Sequence, residues 1–104
     1  MASERLQELW TIVKRIPPGT VASYGLVGRS LSQPVSGLLA GRWMHAAVDD
    51  TVPWWRVVGS TGDLLIAKKD PHLALLQQKR LEDEGVSFVD GLVEKSYFLY
   101  EIPL

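Results

Sequence analysis

Residues 16–25 read IPPGTVASYG, and this stretch separates two helices that the sequence predicts near the start of the chain. Apolar side chains at positions 6, 9, 13 and 16, up to the first residue of this stretch, repeat with helical spacing. They predict a helix from a Ser3 cap to about Ile16. The Pro-Pro-Gly within the stretch stops that helix. After a short extended piece, Ser23 is suited to cap a second helix over residues 24–31. The amino-terminal half therefore begins as short helices joined by a tight connection.

A third helix is predicted over residues 35–48, with Pro34 at its first position. Gly37 and Gly41 are four residues apart and share one face of this helix, with Ala40 beside them. Each glycine costs about 1 kcal/mol relative to alanine inside a helix, so something must approach this face closely. A nucleic-acid backbone and a neighbouring helix both satisfy that requirement, and the spacing alone does not choose between them.

The second half of the chain predicts one more helix and two hairpins. Residues 52–58 read as a turn leading into a strand, which is expected to return over residues 64–66 after a turn at 60–63. A fourth helix is predicted over residues 70–84, with an aspartate cap, and a small hairpin over residues 86–93. The fold class is therefore mainly α with small β-hairpins. We expect a winged helix-turn-helix-like DNA-binding domain, a single domain over residues 1–104, with the third helix as its recognition helix.

Composition excludes several classes of function. The chain has 104 residues, no cysteine and two histidines, so we expect no disulfide, no thiol nucleophile, no metal site and no cofactor. No apolar run approaches the roughly 20 residues that cross a bilayer, and the amino terminus does not resemble a signal peptide. We therefore expect a cytoplasmic protein with no membrane association.

The charges are distributed unevenly along the chain, although the net charge is −1. Residues 1–48 carry five basic and two acidic side chains, whereas residues 71–104 carry three basic and six acidic ones. A basic half of this kind is compatible with nucleic acid bound on one face. An uneven but functionless spread of surface charge gives the same count, so charge alone does not decide the partner.

Residues 53–58, PWWRVV, are the most informative stretch for chemistry. In a regular strand Trp54 and Trp55 point to opposite faces, so that one would face the core and the other a cleft. An aromatic wall beside Arg56 is a good receptor for a flat nucleobase, through stacking and hydrogen bonds. The alternative is that both tryptophans pack in the core or against a hairpin.

Two stretches carry a resemblance to a known family. Residues 16–25 resemble the IPxGxVxSYG segment of the O6-alkylguanine-DNA alkyltransferases, and residues 53–58 resemble their PCHRVV active-site motif. The resemblance covers roughly residues 3–85, nearly the whole DNA-binding domain of that family, and we expect the family's separate amino-terminal domain to be absent. Trp54 stands where the family has its alkyl-accepting cysteine, and Trp55 stands where it has the activating histidine. Because an indole is neither a suitable nucleophile nor a general base, the chain resembles the alkyltransferase-like branch.

This resemblance implies roles for individual residues. Tyr24 matches the tyrosine that presses on the phosphate beside the target nucleotide and helps to rotate the base outward. Trp54 is expected to wall the pocket that receives the alkyl group, Arg56 matches a mostly structural arginine, and Val57 and Val58 are expected to offer backbone groups to the guanine. The expected flipped-base pocket comprises Tyr24, Trp54, Trp55, Arg56, Val57 and Val58.

The third helix is expected to enter the minor groove of DNA. Its DNA-binding residues are expected to be Ser36, Gly37, Leu38, Ala40, Gly41 and Arg42. The family places on this helix an arginine that fills the space left by the flipped base, and the matching residue here is Leu38. An apolar wedge can also fill an unstacked step, and Arg42, one turn further on, is the alternative. Phosphate contacts are expected from Arg29, Lys68 and Lys69.

The resemblance implies a non-enzymatic sensor of DNA damage. Such a protein binds O6-alkylguanine in double-stranded DNA as a monomer, flips the damaged base, transfers nothing and promotes nucleotide excision repair through proteins of that pathway. The alternative is a winged-helix transcriptional regulator of undamaged DNA. That alternative is less consistent with the third helix, which carries glycine, leucine, alanine and methionine where a regulator needs base-reading arginine, asparagine or glutamine.

We predict that the purified protein does not remove the methyl group from O6-methylguanine in duplex DNA. The reason is that Trp54 stands at the acceptor position and the chain has no cysteine. Time-dependent appearance of unmodified guanine in digests of the treated duplex would contradict this prediction. A Trp54→Cys variant is also expected to be inactive, because Trp55 cannot activate a thiol as histidine does.

Overall fold

A computed structural model describes residues 2–46 and 50–104 of the protein. The fold is mainly helical, as the sequence predicts. The four α-helices are α1 (Ala2–Val13), α2 (Tyr24–Arg29), α3 (Gly37–Ala46) and α4 (Pro71–Asp83). Three short 3₁₀-helices, which we call η1, η2 and η3, span Trp54–Arg56, Leu65–Lys68 and Lys95–Tyr97. The strands are β1 (Ala22–Ser23), β2 (Val57–Val58), β3 (Phe88–Val89) and β4 (Leu92–Val93). Within these ranges no helix is long and apolar enough to span a membrane.

Helix α1 begins one residue before the predicted Ser3 cap and ends three residues before the predicted end at Ile16. After Val13 the chain tightens, because the amides of Arg15 and Ile16 bond to carbonyls three residues back, at 3.1 Å each. Prolines follow directly and have no amide hydrogen to continue the ladder. The apolar spacing therefore extends beyond the helix, and Ile16 is buried in the main core.

Helix α2 ends earlier than predicted, and α3 begins later than predicted. The Ser23 cap of α2 is confirmed, since its hydroxyl accepts from the amide of Leu26 at 3.0 Å, but α2 ends at Arg29. The hydroxyl of Ser36 accepts from the amide of Leu39 at 3.1 Å, so α3 begins at Gly37 and Pro34 lies before it. The predicted end of α3 at residue 48 lies outside the described residues.

The predicted hairpin over residues 57–66 is wrong. Strand β2 pairs instead with β1, in parallel, with Ala22 opposite Val57 and Ser23 opposite Val58. Residues 64–66, expected as the return strand, lead into the 3₁₀-helix η2. The buried strand β1 occupies the pairing position that a local hairpin would need, and this contact between distant segments is not visible in a sequence pattern.

The fourth helix and the last hairpin are confirmed in position. The side chain of Asp70 caps α4 by accepting from the amides of His72 and Leu73. Strands β3 and β4 are antiparallel and are joined by Asp90 and Gly91, both with positive φ, at 54° and 79°. Two successive residues with positive φ are the mark of the tight turn that matches the twist of a two-stranded ribbon.

One ion pair joins three distant parts of the chain. The guanidinium of Arg56 in η1 bonds to the Glu84 carboxylate at 2.7 Å and to the carbonyl oxygen of Ile16 at 2.9 Å. The same carboxylate accepts from the amide of Gly19 at 3.2 Å and from the indole of Trp55 at 3.0 Å. Burial by itself would raise the pKa of Glu84, but these hydrogen bonds outweigh it and lower the pKa below its ordinary value.

We predict that Glu84→Gln lowers the free energy of unfolding by about 2–3 kcal/mol, because it leaves the largely buried Arg56 without its counter-charge. The exposed pair of Lys79 and Asp83 is the matched control, and Asp83→Asn should change stability by less than about 0.5 kcal/mol. Urea unfolding at pH 7 measures both values.

The same variant should alter the dependence of stability on pH. Since folding lowers the pKa of Glu84 from 4.5, its contribution is complete above about pH 4.5 and disappears as pH falls through the folded pKa. The stability difference between the parent and Glu84→Gln should therefore shrink in acid. A difference that stays constant down to pH 3 would show that the carboxylate charge is not the stabilising feature.

Candidate nucleic-acid interface

A cavity of about 370 Å³ lies between helices α2 and α3 on one side and η2 on the other. This volume falls within the range of about 300–1,000 Å³ that is typical of small-molecule sites. The helices contribute Tyr24, Gly37, Leu38, Gly41, Arg42 and His45 to its lining, and η2 together with the residue that follows it contributes Leu65, Lys68 and Lys69. Seven of these nine residues are among those predicted from the sequence, and the other two are His45 and Leu65.

The two glycines of α3 have different roles. A Cβ on Gly37 would lie 2.9 Å from the amide nitrogen of Gly25, so this glycine lets α2 and α3 approach closely. A Cβ on Gly41 would make ordinary contacts with the Tyr24 ring, at 3.6 Å. The neighbouring helix therefore accounts for Gly37, whereas Gly41 lies between the Tyr24 ring and open cavity.

Tyr24 forms part of the cavity wall and is held by His45. The Tyr24 hydroxyl lies 2.8 Å from His45 Nε2, and the two rings meet edge to face with 5.4 Å between their centroids. The tyrosine is 6% exposed, and burial together with the negative charge of Asp63 raises its pKa, so the phenol stays protonated. His45 follows Gly37 and Gly41 at intervals of four, a spacing that would have indicated its place on the same helix face.

The charged residues that line the cavity are all basic within the described part of the chain. Arg42, Lys68 and Lys69 are exposed at its border, and the ammonium group of Lys69 donates to the carbonyl oxygen of His45 at 2.8 Å. Leu38 also lines the cavity and is 69% exposed. The border thus combines positive charge with one protruding apolar side chain.

Three other predicted DNA-binding residues are not part of the lining. Ser36 caps α3, and Ala40 is fully buried beneath that helix. Arg29 is exposed at the end of α2. Its role as a phosphate contact stays a prediction.

The motif at residues 53–58 packs into the core, and none of its residues belongs to the cavity lining. Trp54 is 4% exposed and belongs to the main apolar core, and its indole donates to Asp50 at 2.8 Å. Its assignment to the flipped-base pocket therefore stays a prediction. Val57 and Val58 are fully buried, and the carbonyl oxygen of Val57 already accepts from Gln77 at 2.9 Å.

Trp55 and Arg56 belong to the ionic cluster around Glu84. The Trp55 ring has the guanidinium of Arg56 at 5.4 Å from its centroid and that of Arg80 at 4.7 Å. Arg80 also lies 5.9 Å from the Trp54 ring and bonds to Asp50. The expected structural role of Arg56 agrees with its bonds to Glu84 and Ile16. The sequence did not reveal this cluster because two of its members, Arg80 and Glu84, lie on α4 or just after its end, far along the chain from Trp55 and Arg56.

Comparison with known proteins identifies the class and then the family. The fold matches a crystal structure of Schizosaccharomyces pombe Atl1 in complex with damaged DNA containing O6-carboxymethylguanine. Its TM-score is 0.77, with 30% identity, over 93% of this chain and 95% of the other. A second structure of this S. pombe protein with DNA matches with a TM-score of 0.74. The protein is thus a DNA-binding domain of the helix-turn-helix type, as the order of its helices predicts.

Sequence comparison gives the family. The model of the 6-O-methylguanine DNA methyltransferase DNA-binding domain matches residues 4–86. Alkyltransferase-like protein 1 of S. pombe is 38% identical over 88 residues, covering 79% of this chain and 80% of that protein. A DNA base-flipping protein of Vibrio parahaemolyticus is 26% identical over 82 residues, covering 78% and 79%. The chain belongs to the family of the 6-O-methylguanine DNA methyltransferase DNA-binding domain and is an alkyltransferase-like protein.

We predict opposite effects of alanine at the two glycines of α3. Gly37→Ala should lower the free energy of unfolding by about 1–3 kcal/mol, because the new Cβ would overlap the backbone of Gly25. Gly41→Ala should leave stability unchanged or raise it by up to about 1 kcal/mol, since space is available and alanine favours the helix. Urea unfolding of both variants measures the contrast. Equal loss of stability would contradict the assignment of close helix packing to Gly37.

Proposed function

We propose that this protein is a non-enzymatic sensor of DNA damage that binds O6-alkylguanine in double-stranded DNA. In this proposal the damaged base is flipped into the cavity beside Tyr24, no alkyl group is transferred, and the bound protein promotes nucleotide excision repair. The observation that carries the proposal is the cavity of about 370 Å³, bordered by cations and lined on one side by helix α3. The relatives known as an alkyltransferase-like protein and a base-flipping protein support it.

The arrangement of α3 supports a role in DNA binding and base flipping. Arg42, Lys68 and Lys69 offer positive charge to phosphates around the cavity. Leu38 protrudes at its border, where an apolar side chain can occupy the space from which a base has left. Tyr24 is held edge-on by His45, in a position to contact the backbone beside the flipped nucleotide. Arg42 is the alternative wedge in this proposal.

The absence of transfer rests on the chemistry of the chain. A cysteine acceptor is missing from the whole sequence, and Trp54 at the matching position is buried and bonded to Asp50. Without a nucleophile, the binding energy can serve only to hold and expose the lesion. A protein of this kind acts by marking the site for other proteins. We therefore propose that excision repair proteins are its partners and that it works as a monomer.

We expect Tyr24→Ala to weaken binding to a lesion-containing duplex by about 1–3 kcal/mol, the range for loss of an aromatic contact to a nucleotide. In this proposal the Trp54 indole walls the pocket in the complex, so Trp54→Ala should cause the same loss. Trp54→Phe tests that role with less damage to the core. The matched control is Tyr100→Ala, which removes a tyrosine that is 92% exposed and outside the cavity lining. Normal lesion binding by a folded Tyr24→Ala variant would contradict the pocket assignment.

The deciding experiment compares a short duplex containing one O6-methylguanine with the same duplex containing guanine, at several salt concentrations. Contacts to phosphates weaken by nearly one log unit per log unit of salt for each phosphate neutralised. Burial of an alkyl group contributes about 0.8 kcal/mol per CH₂ and is nearly insensitive to salt. Both affinities should therefore fall in parallel, with a shallow slope and a nearly constant ratio. A ratio near one at every salt concentration would instead favour the regulator of undamaged DNA.

The proposed link to repair has its own readout. Excision of an oligonucleotide containing O6-methylguanine by purified nucleotide excision repair proteins should increase when this protein is added. The Tyr24→Ala variant should give little increase, because it leaves the lesion unmarked. An unchanged excision rate with a protein that binds the lesion tightly would reject the link to repair while leaving damage binding intact.

A further inference from the structure

His45 lines the cavity, and its only part in the function proposed so far is to hold the Tyr24 ring. Its Nε2 lies 2.8 Å from the Tyr24 hydroxyl, and its own carbonyl oxygen accepts from Lys69 at 2.8 Å. His45 is therefore bonded to both walls of the cavity, through its imidazole to Tyr24 of α2 and through its backbone carbonyl to Lys69, the residue after η2. His45 is partly buried and forms part of the cavity lining, where a ligand in the cavity would meet it.

The surroundings of His45 are positively charged in the free protein. The titratable and charged groups facing this part of the cavity, from α2, α3, η2 and the turn before η2, are Tyr24, Arg42, Lys68, Lys69 and Asp63. Three of the five are cations, the phenol is neutral, and the carboxylate of Asp63 acts on Tyr24. That carboxylate is itself bonded to the hydroxyl of Thr61.

A charged imidazole is disfavoured here before DNA arrives. Burial first, and the positive charge of Lys69 second, lower the pKa of His45 below its ordinary value of 6.5. The position of His45 in the last turn of α3 acts in the opposite sense, because the carbonyl end of a helix favours a cation. The first two effects prevail, so the ring is neutral in the free protein at neutral pH.

DNA reverses the sign of the charge at this cavity. Phosphates that bind near Arg42, Lys68 and Lys69 place negative charge beside the imidazole and favour its protonated form. We propose that His45 takes up a proton from solvent when DNA binds at the cavity and becomes a fourth cationic contact to the phosphate backbone. This inference rests on the proposed function and adds to it a conditional contact that is absent from the unbound protein.

The hydrogen bond to Tyr24 accommodates this change. In the protonated ring both nitrogens carry hydrogen, so Nε2 donates to the phenolic oxygen of Tyr24. The phenol hydrogen is then free to point into the cavity and to donate to a phosphate oxygen. One proton taken from solvent therefore adds a charge at His45 and directs a second donor, that of Tyr24, towards the DNA.

Linkage fixes the direction of the pH effect. Because the pKa of His45 is higher with DNA than without it, the dissociation constant should decrease as pH falls through the pKa of the complex. The change amounts to at most tenfold per pH unit for one proton and levels off below the pKa of the free protein. Undamaged and damaged duplexes should show the same trend, since the contact is to phosphate.

The experiment measures binding of a duplex containing O6-methylguanine between pH 6 and 8, with the parent protein and two variants. His45→Gln keeps a group that can hydrogen-bond to Tyr24 but cannot be protonated, so it should bind several-fold more weakly at pH 6 and lose the pH dependence. His72→Gln is the matched control, because His72 is the other histidine, is exposed on α4 and is not part of the cavity lining. It should behave as the parent does.

Two further readouts distinguish a charge from a merely structural role. For the parent, the slope of log affinity against log salt concentration should be steeper at pH 6 than at pH 8 by close to the contribution of one phosphate contact. For His45→Gln the slope should not change. The two histidine signals in a proton–carbon correlation spectrum, assigned with the variants, should show the titration of His45 moving to higher pH when duplex is added. A structural role of the ring predicts neither effect.

The outcomes separate this inference from the proposed function. Lesion binding that is tight but independent of pH in the parent, with an unchanged titration of His45, would overturn the inference alone. Equal loss of pH dependence in His72→Gln would also overturn it. No preference for the lesion at any pH would overturn the proposed function. No binding of either duplex at any pH would overturn the proposed function and this inference together.

Discussion

The guanidinium of Arg56 and the carboxylate of Glu84 hold together three segments that are far apart in sequence. The carboxylate accepts hydrogen bonds from Gly19 in the first connection and from Trp55 and Arg56 in η1, at the end of α4. With η1 fixed, β2 lies alongside β1, and the last residue of β1, Ser23, caps α2. The position of Tyr24 in the cavity thus depends on the salt bridge that fixes η1, which directly precedes β2 of this small sheet.

The cavity exists because α2 and α3 approach each other closely in one place and leave space in the next. The absence of a side chain at Gly37 brings the backbones together at Gly25, and the absence of one at Gly41 leaves room beside the Tyr24 ring. Lys69 then connects η2 to the end of α3 through the carbonyl oxygen of His45. The glycines therefore shape the cavity, and the basic residues set its charge.

The aromatic motif packs into the core and against the ionic cluster around Glu84. In η1 the backbone turns too tightly for Trp54 and Trp55 to alternate as they would in a strand. Trp54 therefore packs in the core, and the Trp55 ring lies close to the guanidinium groups of Arg56 and Arg80. Polar bonds to Asp50 and Glu84 hold both indole nitrogens. The two rings thus join η1 to the main core and to the ionic cluster at the end of α4.

The sequence by itself determined the helices, their caps at Ser23 and Asp70, the final hairpin and the family, because these depend on spacing and on local hydrogen bonds. Seven of the nine residues that line the cavity were also among the DNA contacts expected from the family resemblance, four of them on α3. Tertiary structure alone decided that residues 57–58 pair with β1, that the motif packs into the core and that His45 meets Tyr24. Each of these is a contact between residues at least 20 positions apart or a choice between burial sites. Such contacts depend on how whole elements pack against each other, and a local sequence pattern does not determine that packing.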